Sequence, residues 1–370
     1  MIIMRWNERS GAEMLAKYPE EIQISEKTLV QIYSTHEYSG EAGMVSLAIG
    51  PLNIASYTTG PEKGLYVVLL LNVDDDPDLY EDGLADAARV VVANIENKEY
   101  KKLLPSIFQR LSTFPSLKPE QKLAMLYVDE VKRKVLQRLQ EEGAVYKSEL
   151  SIWLKDVFRA GFVDIENVSV ALIKEGLAKG ASLKGIPSEI LFLVGDIVIT
   201  RHPPVVLYNE CTQRGLPASL RDQYHNEIKT FFAQYQPSEA DNLQLLNVLL
   251  DPATYETLTL LRNAIVTRDD LEKLKKKGVE NVDAVLKVLW DNKLLVMLRD
   301  EKGNEYYGLR SDVMTQRIFP EFMVNTIRQN YKEKSKADAV LVEHLNILEE
   351  QYKTNKASAS RSTEEITTAT

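Results

Sequence analysis

Soft ligands and nucleophiles are scarce in this chain: 370 residues hold one cysteine and four histidines. A lone Cys211 cannot close an intramolecular disulfide, and it fits a reducing, cytoplasmic compartment. So small a stock of thiol and imidazole argues against a Cys/His zinc site. No apolar run reaches the ~18 residues that would span a bilayer. The opening Met-Ile-Ile-Met-Arg-Trp-Asn is too short for a signal peptide and lacks its charged first region. Phosphate-loop chemistry is missing as well. Gly60-Pro61-Glu62-Lys63-Gly64 offers Gly and Lys without the spacing or the Ser/Thr of such a loop, and no Gly-x-Ser-x-Gly elbow occurs. These absences lead to the expectation of a chain that is not an enzyme and needs neither cofactor nor metal. A net charge of -9 argues against coating nucleic acid as its main task.

What is present is an ordinary globular composition, 44% hydrophobic and 27% charged, over a length that suits two or three domains. The stretch from Thr28 to Val73 organises the first of them. It reads as a helix, Thr28 to Tyr38, then strands at Met44 to Ile49, Leu52 to Tyr57 and Leu65 to Val73, split by Gly/Pro turns as in an antiparallel meander. Leu29, Ile32, Tyr33 and His36 fall at i, i+3, i+4 and i+7, so one helix face is expected to be buried. Ser25 is placed as its N-cap. Ahead of the helix, Ile2 to Trp6 and Ala12 to Tyr18 read as a hairpin. After the meander, Asp74-Asp75-Asp76-Pro77-Asp78 opens a helix with the stripe Leu84, Ala88, Val91 and Ile95. A last helix, Lys98 to Leu111, contains Pro105, which is expected to kink or divide it.

Strand, strand, helix, three strands, helix, helix: this order over residues 1–115 resembles the longin domain, a profilin-like fold of trafficking proteins and GTPase regulators. The resemblance implies a five-stranded antiparallel sheet with one helix on one face and two on the other. Downstream, Leu126 to Glu142, Lys147 to Arg159 and Ile165 to Leu177 read as helices, and Ile190 to Val194 with Ile197 to Thr200 as a ribbon, a layout that resembles a winged helix over 122–205. Residues 206–250 read as a helical linker, with Leu220 to Tyr235 and Asn242 to Leu250 as its helices. Over 251–312 a second such unit is expected. It has helices at Ala253 to Ile265, Thr267 to Lys277 and Asn281 to Asn292, and a wing hairpin turning through Asp300-Glu301-Lys302-Gly303-Asn304. C-terminal helices at 313–353 carry the stripe Ala337, Leu341, Leu345, Leu348 and Tyr352, and 354–370 reads as a disordered tail. The fold class expected is thus α+β, becoming mostly helical after the first third.

Few side chains invite chemistry. Asp74, Asp75, Asp76 and Asp78 follow a strand, where magnesium sites occur, but they also suit a helix N-terminus. His36, Glu37 and Glu41 lack a further imidazole or thiolate for a metal, and His36 lies on the apolar face. Cys211 stands in a polar stretch with no histidine near it in sequence. Trp6, Trp153 and Trp290 read as core or rim aromatics. Two surfaces remain for binding. Tyr33, His36, Tyr38 and Glu41 are a candidate partner surface, and Lys273, Lys275, Lys276 and Lys277 a candidate phosphate-contacting cluster.

Residues 1–115 hold 10 Lys and Arg against 17 Asp and Glu, about -7 in net charge. The third helix of the second unit offers Asn281, Asp283, Lys287 and Asp291 outward, and that of the first Glu166, Ser169, Lys174 and Glu175. Carboxylates are repelled by a phosphate-lined groove. The expectation is a non-catalytic adaptor. In the proteins it resembles, the partners are small GTPases, longin or roadblock domains, or machinery like that of the membrane-remodelling ESCRT-II complex. The resemblance extends to trafficking or GTPase-regulator proteins of an archaeal kind. Peripheral membrane association would come only through partners. The alternative is a winged-helix transcription regulator with a longin-like sensor or dimerisation domain.

Overall fold

A computed structural model describes residues 1–39, 43–50, 52–60, 64–96, 98–158 and 165–368. Glu41 and residues 61–63, singled out above, lie outside them. The chain divides into two compact units. One joins Met1–Leu117, Lys134–Leu193 and Phe322–Thr370, and the other Lys118–Arg133 and Val194–Glu321.

The first unit opens with the hairpin β1 (Ile2–Asn7) and β2 (Gly11–Lys17), then α1 (Glu26–Ser39), β3 (Gly43–Ile49), β4 (Leu52–Thr58) and β5 (Leu65–Leu71). These strands form one antiparallel sheet in the order β2-β1-β5-β4-β3. β5 stops short of Val73, which is exposed. Because side chains alternate along a strand, the sheet has two apolar faces. Ile2, Met4, Ile54, Tyr66 and Val68 meet Leu29 and Ile32 of α1, each buried helix residue contributing roughly 1.5–3 kcal/mol. Ser25 caps α1 by accepting from the Thr28 N–H at 3.1 Å. The residues between those, Ile3, Ala55, Tyr57, Val67 and Leu69, are also buried. α2 (Glu81–Ala93) lies against β4 and β5 and buries Leu84, Ala88 and Val91. α3 (Tyr100–Thr113) packs on α2 and runs continuously through Pro105. Pro105 does not divide the helix: the carbonyl deprived of a donor is that of Lys101, on the exposed first turn.

The expected helix Leu126 to Glu142 is two helices, α4 (Pro119–Val128) and α5 (Glu130–Glu142). Asp129 breaks it. Its backbone is extended, and its carboxylate accepts from the Lys132 N–H at 2.9 Å, so one residue ends α4 and caps α5. Then come β6 (Ala144–Tyr146), α6 (Lys147–Val157), α7 (Ile165–Lys174), β7 (Ala178–Ala181) and β8 (Ile190–Leu193), with sheet order β6-β8-β7. The ribbon expected of Ile190 to Val194 with Ile197 to Thr200 does not form. β8 pairs with β6 and β7, and β9 (Asp196–His202) pairs in the other unit.

In the second unit follow α8 (Val205–Glu210), α9 (Arg221–Gln234), α10 (Glu239–Leu250), α11 (Pro252–Asn263), β10 (Val266–Thr267), α12 (Arg268–Glu272), α13 (Val282–Asp291), β11 (Leu295–Arg299), β12 (Glu305–Leu309) and β13 (Asp312–Ile318). The sheet order is β10-β12-β11, and β9 pairs with β13 from Asp196↔Ile318 to His202↔Asp312. The blocks from α5 to β8 and from α11 to β12 thus share one layout: helix, strand, helix, helix, strand, strand, with the last strand in the middle. The helices expected as a linker belong to this unit's core, through Tyr224, Ile228, Leu245, Leu246 and Leu249.

Two arginines tie the second unit together. Arg201, whose side chain is 2% exposed, grips both Asp241 oxygens at 3.1 and 2.7 Å and donates to Ser311 and to the Asn292 carbonyl. Arg262 joins Glu120 of α4 to Asp312 and to the Val313 carbonyl of β13. The chain closes in the first unit with α14 (Met323–Glu333) and α15 (Asp338–Thr368). α15 continues through the segment expected to be a disordered tail, where neither Gly nor Pro interrupts it. Among the described residues no helix is long and apolar enough to cross a membrane.

Candidate interaction surfaces

A five-strand sheet that does not close has two edges, here β2 and β3. They differ in chemistry. β2 carries Glu13 and Lys17, and its pairing with β1 shifts register between Ile3 and Met4. Charges and irregular register are what discourage strand addition. β3 reads Gly-Met-Val-Ser-Leu-Ala-Ile, with no charge and no proline, and its register with β4 is unbroken from Gly43↔Thr58 to Ile49↔Leu52. Leu47 and Ile49 anchor it on the core beneath α1, while Ser46 and Ala48 are exposed. It is a firmly mounted edge, paired on one side only among the described residues, and chemically suited to accept another strand.

Of the residues expected as a partner surface, the three described ones differ in exposure. His36 is 3% exposed, with Nε2 2.9 Å from the Ser56 hydroxyl and its ring tilted against Tyr66. Burial lowers its pKa to about 4. Tyr33 is stacked on Trp6 at 3.5 Å and edge-on to Tyr66. Both therefore turn into the sheet, following the helix's apolar stripe. Among the described residues of the four, Tyr38 points outward, at 96% exposure, on the last turn of α1 ahead of β3. Glu41 lies outside the described residues.

The acids after β5 have local duties. Asp75 accepts from the Asn72 N–H at 2.9 Å, and Asp76 caps the turn of helix at Pro77–Tyr80 by accepting from the Asp78 N–H. Cys211 is buried in the second unit's core rather than in a polar stretch, and its Sγ lies 3.8 Å from His225 Nε2. That nitrogen is also 2.7 Å from the Tyr208 carbonyl, which can only accept. Nε2 therefore carries the proton and is not a base for the thiol. Among the described residues no group of three or more His, Cys, Asp or Glu is placed to hold a metal ion.

The lysine cluster sits on a short 3-10 turn, Lys273–Lys277, ended by Gly278 at φ +92°. Its charge is largely answered locally. Lys273 pairs with Asp270 at 2.8 Å, Lys275 with Glu272 at 2.5 Å and Lys277 with Glu256 at 3.8 Å. Salt-bridging Lys273 and the Thr267 bonds hold Asp270 down at about 2. Among the described residues only Lys276 of the four lacks an ion-pair partner. On α13, Asp283 is taken by Arg268 at 2.7 Å, and Lys287 and Asp291 are exposed as expected. Trp290 is a rim residue, half-exposed beneath the Arg310 guanidinium.

On α7, Glu166 and Lys174 are exposed as expected, but Ser169 is not. Ser169, expected outward, is buried and bonds the Ile165 carbonyl. Lys174 reaches Asp82 of α2 at 3.5 Å, and Glu166 reaches Lys147. An open strand edge is expected of such a sheet, and the structure identifies β3 as the charge-free one; an apolar cleft between α14 and α15 is not foreshadowed in the sequence. Compared with protein-family models, curated proteins and solved structures, the chain gives no significant match to any of them.

Proposed function

We propose that this chain is a non-catalytic adaptor. Its N-terminal domain is of longin type and recruits a protein partner by strand addition to β3, and its two helix-and-strand blocks are winged helices that bind protein. The observation that carries the reading is the charge-free, proline-free edge of β3. It is rigidly held by Leu47 and Ile49 and flanked by exposed Tyr38. The sheet order β2-β1-β5-β4-β3, with α1 on one face and α2 and α3 on the other side, supports the longin assignment. The shared layout of the blocks from α5 to β8 and from α11 to β12 supports winged helices.

Binding to protein rather than DNA is favoured by charge. Arg268 of α12 neutralises Asp283 on the third helix's first turn, and Lys273 and Lys275 nearby are committed to carboxylates. A phosphate backbone would have to displace those pairs. The partners that fit an open longin edge are a small GTPase or another longin or roadblock domain. The test is binding of the purified chain to a panel of such proteins, GTPases in both nucleotide states. Binding should be lost when Ser46→Lys and Ala48→Lys charge the edge. If capture survives that double substitution, or occurs equally after removal of residues 1–115, the assignment of the surface fails.

A further inference from the structure

The C-terminal hairpin presents an apolar cleft of about 380 Å³ between α14 and α15. Along α14 the residues facing it are Val324 and Tyr331, and along α15 Val342 and Leu345, with Tyr352 continuing the line. These five are 45–57% exposed. The spacing is heptad-like: Val324 and Tyr331 are seven apart, as are Leu345 and Tyr352. α15 already buries Val340, Ile347 and Leu348 in its own chain, and buried Leu341 lines the cleft. A helix apolar on two faces belongs inside a bundle, and a two-helix hairpin is half of one.

The rim indicates what completes it. α14 supplies Arg328 to one lip and α15 supplies Asp338 to the other. From Met323 to Lys336 the chain carries Arg328, Lys332, Lys334 and Lys336 against Glu333, a net +3. From Asp338 to Tyr352 it carries Asp338, Glu343, Glu349 and Glu350 with no Lys or Arg, a net -4. Most of these charges are matched internally: Lys334 with Asp338, Lys336 with Glu142, Glu349 with Lys353 and Glu350 with Lys179. Arg328, Lys332 and Glu343 have no ion-pair partner among the described residues. A two-fold axis through the cleft sets Arg328 on the lip of each copy opposite Asp338 on the lip of the other, within an antiparallel four-helix arrangement.

We propose that the α14–α15 hairpin is a homodimerisation surface, completed as an antiparallel four-helix bundle by a second copy of this chain. The seam residues of each copy fill the cleft of the other, and the opposed rims fix its orientation. This surface is distinct from the β3 edge.

Sedimentation equilibrium of the full chain tests it. The wild type should be a dimer with a Kd of about 10 µM or tighter. Val342→Glu with Leu345→Glu changes only exposed side chains. It should leave circular dichroism unchanged and weaken the dimer at least ~100-fold, as expected when carboxylates are buried unpaired. Arg328→Glu should weaken it less, by about tenfold, and reduce its sensitivity to salt. A wild type that stays monomeric at ~100 µM, or a dimer whose Kd the double substitution leaves unchanged, overturns the proposal. So does a dimer dispersed by Ser46→Lys with Ala48→Lys but not by the cleft substitutions, since that dimer would be joined at β3.

Discussion

His36→Gln should remove a specific acid sensitivity from the N-terminal domain. Burial against Tyr66 and Ser56 lowers the His36 pKa to about 4, whereas the unfolded chain titrates near ~6.5. The folded state therefore holds fewer protons than the unfolded state between these values, and stability rises with pH across that window. The contribution is fully present above about pH 6.5 and falls away as pH drops toward about 4. From the two pKa values, stability at about pH 5 should be roughly 2 kcal/mol lower than at about pH 7.5 because of this one imidazole. At 3% exposure no solvent discount applies.

His344 is also buried, with Nε2 2.8 Å from the Leu193 carbonyl, and burial lowers its pKa as well. It and the carboxylates titrate in both proteins, so the difference between wild type and variant isolates His36. The assay is urea unfolding followed by Trp6, whose stack on Tyr33 reports on this domain, with Trp153 and Trp290 replaced by Phe. The variant should be less stable at neutral pH yet flatter with pH. Identical pH dependence in the two proteins would refute a buried, neutral His36.

Three further outcomes follow from the packing. Arg262→Met strands Glu120 and Asp312, whose side chains are 21% and 13% exposed. It should cost the second unit about 2–3 kcal/mol, read as a shifted urea midpoint of Trp290 fluorescence. Adding Glu120→Gln and Asp312→Asn should restore most of that. Gly215→Ala should cost about 2 kcal/mol or more, because φ is +109° and a Cβ would fall 2.3 Å from the Ile265 carbonyl oxygen. Hydrogen exchange of the second unit's amides would show the loss. In a low-salt mobility shift the wild type should show no specific DNA binding tighter than about micromolar. Tight, salt-steep binding lost in Lys287→Glu would favour a transcription regulator instead.

The first domain was legible because its signals are local. The spacing of Leu29, Ile32, Tyr33 and His36 identifies the buried face of α1, and the Gly/Pro turns mark the meander. The same spacing already placed His36 inside, so offering it as surface ignored its own stripe. The break at Asp129 was hidden because Val128, Val131 and Val135 keep helical spacing across it, while the deciding event is one side-chain bond to the Lys132 N–H. β7 reads Ala-Lys-Gly-Ala, without a β-branched residue, and becomes a strand only by pairing with β8. The β9–β13 ladder joins segments distant in sequence, which no local pattern reveals. On α15, Leu341, Leu345, Leu348 and Tyr352 read in the sequence as one stripe. The seven-residue repeat in fact separates Leu341 and Leu348, buried, from Leu345 and Tyr352, exposed.

Backbone amide exchange on the complex distinguishes docking at β3 from docking elsewhere. With a bound GTPase, longin or roadblock partner, amides of residues 43–49 should gain protection as unpaired N–H groups enter a new ladder, while the amides of β2 stay unchanged. Protection appearing elsewhere, with β3 exchanging as it does in the free chain, would rule out β3 as the docking edge.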